Sequence, residues 1–259
     1  MLEQTLWSVR RSARACGIKD YEVVVVDALS PERPVVTGRE RLVFNHIKSK
    51  VFNKSLCLNL GIEQSTGDIL TFLDADMLVG EEWMRGVFKY LAVPTGPTRL
   101  CYRARQLKVT DEADKNQDII LNILAATPDR GMVVRRWFDA CDGYVKTFEA
   151  YGDPDEGNCP KRTEPVFGNS QFSIRRDVLG DLRFNDEMVG AGFEDLWMIR
   201  QIWDQYGTDY RGVIAKEPHE SLLHMYHPRP MKPSSDWCTR KTNEANKAMY
   251  KRRWPRTTW

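Results

Sequence analysis

The chain has 259 residues, with 38 basic and 36 acidic side chains and a formal charge of +2. That balance gives no whole-molecule reason to expect nucleic-acid binding. With 42% hydrophobic and 29% charged residues it reads as a folded globular chain. Its longest apolar runs are a handful of residues, short of the roughly 20 that a spanning helix requires. The start, MLEQTLWSVRR, lacks the apolar core of a secretion signal. Six scattered cysteines without a CxxC pair argue against a disulfide scaffold or zinc ribbon, and a reducing cytoplasm is the expected compartment.

The first predicted element is a helix over 2–16, with Leu2, Leu6, Val9, Ala13 and Cys16 on one face and Gly17 closing it. Tyr21–Val26 then reads as a strand buried on both faces, ending in Asp27. Ser30, Pro31 and Pro34 mark a loop. A helix over 54–63 is stopped by Ser65, Thr66 and Gly67, and Ile69–Leu73 forms the next buried strand. The helix over 81–91 turns Trp83, Met84, Val87, Phe88 and Leu91 inward.

Farther on, a strand is expected over 100–107, a helix over 116–125 and an acidic loop over 152–158. Order resumes with a strand over 167–174 and a helix over 194–206 carrying Leu196, Ile199, Trp203 and Tyr206 inward. A last strand over 222–226 and a basic, helical tail from about 237 complete the series. Strand, polar tip and helix recur in the pattern of an open α/β sheet with its site at the carboxyl ends of the strands.

Four constellations carry chemistry. Asp74-Ala75-Asp76 follows a strand, so two carboxylates can face one hard cation that bridges phosphates; a solvated turn is the plainer reading. Glu194-Asp195 opens a helix, where the free N–H groups favour carboxylates, and either acid there can take a proton from a hydroxyl. The flexible Gly190-Ala191-Gly192 before them admits a close approach. His224-Met225-Tyr226-His227 holds two of the four histidines, which on an extended strand face opposite ways unless Pro228 turns the chain, and two half-buried histidines with ordinary hydrogen bonds are the plainer reading. One imidazole with Asp76 would suit Mn²⁺ better than Ca²⁺. Phe52-Asn53-Lys54 with Asn59-Leu60-Gly61 offers a lysine at a helix start, able to meet a diphosphate as a point charge.

The order of these pieces resembles the GT-A glycosyltransferases, specifically inverting family-2-like enzymes with a galactosyltransferase-type C-terminal motif. FNKSLCLNLG is similar to the FNR-x-x-x-x-N-x-G segment, FLDADM to the DxD motif and GAGFED to G-x-G-G-E-D, followed by HMYHP. The likeness runs over about 2–92 and 166–228. It implies a single GT-A, Rossmann-like α/β domain with a mostly parallel central sheet. Its parts would be a nucleotide-binding half over 1–92, a variable segment over 93–165, an acceptor and metal half over 166–228 and a basic tail over 229–259.

The resemblance implies a nucleotide-sugar donor, UDP-linked, and a glycan or other hydroxyl acceptor. Asp27 would contact the base or ribose, and Phe52 and Lys54 the diphosphate side of the donor. Asn59, Asp74, Ala75 and Gly168 would complete the donor site. Asp76 and His227, with His224 beside them, would hold Mn²⁺ or Mg²⁺. Asp195 would be the general base and Glu194 would bind a sugar. Val189 and Ala191 stand where aromatic residues are usual, and Leu196-Trp197 ends the acidic run. The family's first strand, central in the sheet, has no counterpart ahead of the first helix.

Other readings meet specific obstacles. A sugar nucleotidyltransferase would want a Gly-rich, Arg-bearing loop near the start, and an Asp-nucleophile phosphatase a Thr shortly after its DxD. A non-catalytic or impaired module of the same fold that binds glycans or nucleotide sugars stays open. The tail interleaves Arg240, Lys241, Lys247, Lys251, Arg252, Arg253 and Arg256 with Tyr250, Trp254 and Trp259. That suits peripheral contact with an anionic membrane or polymer, and equally an amphipathic helix packed on the domain.

Overall fold

The computed structural model describes residues 1–28, 30, 34–36, 40–44, 52–92, 101–103, 106–109, 145–147, 171–206, 212–214, 222–224 and 240–255. The expected helix over 116–125, the acidic loop over 152–158, Gly168 and His227 lie outside them.

Helix α1 (Leu2–Ala15) ends as predicted. Gly17 takes φ 70°, and the N–H groups of Gly17 and Ile18 close on Arg14 O and Ala13 O. Its buried face differs from the expected apolar row, because Thr5, Ser8 and Ser12 are buried beside Leu6 and Ala13. The hydroxyls explain this. Thr5 Oγ1 donates to Ala75 O at 2.8 Å and Ser12 Oγ to Val79 O at 3.0 Å, while Ser8 Oγ accepts from Val79 N at 3.1 Å. Each buried polar group is matched to a backbone group of the segment carrying the two aspartates.

Strand β1 (Val23–Asp27) pairs in parallel with β2 (Glu40–Phe44), a strand with no counterpart among the predicted elements. Strand β3 (Ile69–Phe72) and the short β4 (Met77–Leu78) flank the Asp74–Asp76 turn. In place of one strand over 100–107 there are two, β5 (Cys101–Arg103) and β6 (Gln106–Val109). Strands β7 (Val145–Thr147), β8 (Phe172–Arg175), β9 (Gly212–Ile214) and β10 (Leu222–His224) complete the set.

Among the described residues these form a β1–β2 ribbon and two four-stranded sheets, β4-β10-β6-β7 and β3-β8-β5-β9. Pairings run in both senses. β1–β2, β6–β10 and β5–β9 are parallel, whereas β3–β8, β5–β8, β4–β10 and β6–β7 are antiparallel. The α/β class stands, with an antiparallel strand beside β3. No pairing joins β1 to β3 among the described residues. Val23–Val26 are half-buried rather than enclosed on both faces as the valine run predicts.

Helix α2 (Lys54–Gln64) contributes Ile62 to a core with Leu70, Phe72, Phe172, Ile174, Phe184, Met198 and Ile202. Its rings interlock, with Phe72 4.8 Å from Phe172 and edge-on to Phe184 at 5.4 Å. A second core places Ala13 of α1 and Met77 against Trp83, Met84, Val87 and Leu91 of α3 (Glu81–Leu91) and Leu222 of β10. Phe88, expected inward, is exposed. A short helix α4 (Arg176–Leu179) follows β8. Helix α5 (Glu194–Tyr206) buries Met198, Ile199 and Ile202, so its inner face is rotated from the expected row. Helix α6 (Arg240–Arg253) docks Tyr250, with Trp254 just beyond it, on Met188, Phe193, Leu196 and Trp197. Its aromatics face the domain, while Lys241, Lys251, Arg252 and Arg253 are exposed. No helix among the described residues is long and apolar enough to cross a membrane.

Candidate functional site

The segment 52–54 is the hinge of the site. Asn53, extended at φ −133°, caps α2 by accepting Leu56 N–H at 2.9 Å, while its Nδ2 donates to Asp186 O at 2.6 Å. Phe52 O accepts from Gly190 N at 2.7 Å and Lys54 N donates to Gly190 O at 3.0 Å. The start of α2 and the loop before α5, far apart in sequence, are thereby joined through the backbone.

That join fixes the lysine. Lys54 Nζ lies 2.7 Å from Asp74 Oδ1 and 3.7 Å from Glu194 Oε1, with its side chain 15% exposed. Burial by itself would lower the Lys54 pKa. The Asp74 carboxylate, then Glu194 and Asp195, outweigh it and hold the ammonium well above the ordinary lysine range. One cation therefore ties the turn after β3 to the start of α5.

Asp74 is engaged on both oxygens. Gln171, fully buried just ahead of β8, donates from Nε2 to Asp74 Oδ2 at 2.6 Å and accepts Asp74 N–H on Oε1 at 2.9 Å. The antiparallel register makes this contact, because Phe172 stands opposite Phe72 and places residue 171 at the carboxyl end of β3. Asp76, half-buried, lies two residues on, just before β4. His224 is across the ladder from Met77, so the last described residue of β10 sits beside the residue that follows Asp76.

Glu194 and Asp195 are both buried, and the loop before them is tightly wound. Gly190 has φ 81°, Gly192 115° and Phe193 70°. A positive φ costs glycine little and phenylalanine appreciably more. Gly192 N donates to Glu194 Oε2, and Asp195 Oδ1 accepts Leu196 N–H at 2.8 Å. The first-turn N–H groups and the helix dipole favour carboxylates there.

Lys54, Asp74, Glu194 and Asp195 thus converge, with Phe52 joined through its backbone and Ala75 held by Thr5. Two other candidates have different partners. Asn59 is spent inside the fold, its Nδ2 donating to Phe184 O and its Oδ1 accepting Phe184 N–H, each at 2.9 Å. Asp27 ends β1 and accepts from Ser30 Oγ. Gly168 and His227 are not described, and no group of three or more His, Cys, Asp and Glu poised for a metal occurs among the described residues.

Sequence reasoning missed Gln171 and Thr5. A glutamine inside a strand-like run and a threonine on a helix face carry no periodic signal. Asn53 had one, since an Asn just before a helical run is a cap.

The chain was compared with known proteins. The sequence profile described as Glycosyl transferase family 2 matches residues 1–183. It covers α1 through β8 and α4 and ends before the Glu194-Asp195 helix. No curated protein matches the sequence. A solved structure described as "Crystal Structure of a Mycobacterial Protein" aligns at 14% identity with a TM-score of 0.45. That alignment covers 88% of this chain and 65% of the other, so the present chain spans less than two thirds of its length.

Proposed function

The chain belongs to glycosyl transferase family 2, and we propose that it moves a sugar from a UDP-sugar to an acceptor hydroxyl with inversion, assisted by a divalent cation. The observation that carries this reading is Lys54, whose ammonium reaches Asp74 and Glu194 at once. An acidic turn for the donor and an acidic helix start for the acceptor then share one location.

An acidic turn of this kind suits a hard cation. Asp74 already serves Lys54 and Gln171, so Asp76 is the carboxylate assigned to the metal, with His227 as the imidazole partner. Among the described residues Asp74, Asp76, Glu194 and Asp195 outnumber the Lys54 ammonium, a balance that repels a bare diphosphate. A Mn²⁺ or Mg²⁺ ion there would reverse the sign and offset charge on the leaving group.

The chain's own groups do the rest. Lys54 sits at the start of α2, where the helix dipole also favours an anion, and supplies positive charge on the diphosphate side. Glu194 orients a sugar hydroxyl. Asp195 removes the acceptor proton as its oxygen attacks the anomeric carbon opposite the departing UDP. Asp195 is buried in the first turn of α5, within reach of the Lys54 charge.

Thermal unfolding with UDP and Mn²⁺ tests donor binding. UDP at about 100 times its Kd raises the Tm by about 5–10 °C, and EDTA removes the shift. No shift with UDP in either condition contradicts the donor assignment.

A further inference from the structure

We propose that the C-terminal helix α6 belongs to the catalytic apparatus, with Asn246 as the positioning residue that sets the Glu194-Asp195 carboxylates. The inference rests on the function proposed above and extends it to a segment beyond the family match.

Asn246 is only 1% exposed on an otherwise polar, basic helix. A buried amide in a helix interior is costly unless its hydrogen bonds are made. Here Nδ2 donates to Val189 O and to Gly192 O, each at 3.0 Å. Those two carbonyls belong to the turn into α5, in which Gly190, Gly192 and Phe193 have positive φ. Gly192 N in turn donates to Glu194 Oε2, and Glu194 Oε1 faces Lys54. A continuous chain of contacts therefore runs from Asn246 through Gly192 and Glu194 to Lys54 and Asp74.

Two more contacts hold the same loop from the same side. The Phe193 ring packs 6.0 Å from Tyr250, which retains a non-glycine residue at φ 70°. The Asn243 side chain also lies against Gly192, its Oδ1 2.7 Å from where a Cβ would stand, and the φ of 115° itself favours glycine there. On the opposite flank the loop is fixed by Phe52 O and Lys54 N at Gly190. The carboxylates thus stand on a loop clamped between the start of α2 and α6. Just past α6, Trp254 joins the same cluster, its Nε1 donating to Asp204 Oδ2 at 2.6 Å and its ring 4.7 Å from Trp197 and 4.9 Å from Tyr250.

The test compares the full chain with Asn246→Ala, Gly192→Ala and Val87→Ala, the last opening a cavity in the core under α3, away from the loop. Amide hydrogen exchange at Gly190–Asp195 and Mn²⁺-dependent UDP release from UDP-hexoses are both measured. In Asn246→Ala, exchange at Gly192–Asp195 rises about tenfold or more, and kcat falls about tenfold or more while donor KM stays within about threefold. Gly192→Ala reproduces the kcat loss even if Asn246→Ala folds poorly. Val87→Ala lowers the Tm but keeps kcat. Unchanged loop exchange in Asn246→Ala, or faster exchange with wild-type kcat, overturns the positioning role. Equal kcat losses in Val87→Ala and Asn246→Ala overturn it as well, since they assign the effect to stability. A wild-type chain that releases no UDP from any UDP-hexose refutes the proposed function itself, and this inference falls with it.

Discussion

Gln171 and Asp74 grip each other at both ends. The glutamine amide donates to Asp74 Oδ2 at 2.6 Å and receives the Asp74 backbone N–H at 2.9 Å. The first carboxylate of the DxD turn is thus set by a residue almost a hundred positions away, delivered by the antiparallel β3–β8 register.

Removing that grip is expected to be costly. Gln171→Ala leaves a backbone N–H and a carboxylate oxygen without this partner, for a loss of about 2 kcal/mol. Gln171→Glu is worse, because it sets a second carboxyl against Asp74 and exchanges a donor for an acceptor. The urea midpoint should fall in the order wild type, Gln171→Ala, Gln171→Glu.

Lys54→Met removes the cation from between Asp74 and Glu194. Asp74 is a third exposed, so the loss should be smaller than the roughly 3–5 kcal/mol of a fully buried pair, about 2 kcal/mol. The folded-state pKa of Lys54 is raised, so its contribution is complete below the unfolded lysine value and disappears as pH climbs through the higher folded one. The stability gap between wild type and Lys54→Met is therefore constant from about pH 7 to pH 10 and closes only at stronger alkali. Denaturant titrations across that range check it.

The hydroxyl row of α1 supplies another test. Ser12→Ala and Thr5→Val each delete one bond to the segment carrying the aspartates, for about 1 kcal/mol apiece. Ser8→Ala costs more, because Val79 N–H then loses the Ser8 Oγ acceptor. Thr5→Val should in addition weaken UDP binding, since it frees Ala75 O beside both aspartates. Unfolding curves and a UDP titration separate the two effects.

What the sequence made legible follows from local physics. Helices α1, α2, α3 and α5 and the strand before Asp74 were readable because apolar period, caps and glycine stops agree there. The grouping of Lys54 with the two acidic clusters was readable as motif order. The two exact partners were not, because charge pairing across 20 and 140 positions leaves no periodic trace. The hydroxyl face of α1 misled the apolar count, since Ser8 and Ser12 bury by hydrogen bonding rather than by hydrophobicity. Asn59 looked like a donor contact, but its amide copies a backbone pairing with Phe184. Short strands such as β2, β4 and β9 depend on neighbours distant in sequence, so propensity alone does not mark them.

UDP release from a panel of UDP-hexoses in Mn²⁺, compared between wild type and Asp195→Asn, tests the central claim most directly. Asn keeps the size of the side chain and removes the base. The account predicts UDP release by the wild type and a fall of about 10²–10⁴-fold in Asp195→Asn with UDP affinity unchanged. Wild-type rates in Asp195→Asn would contradict it.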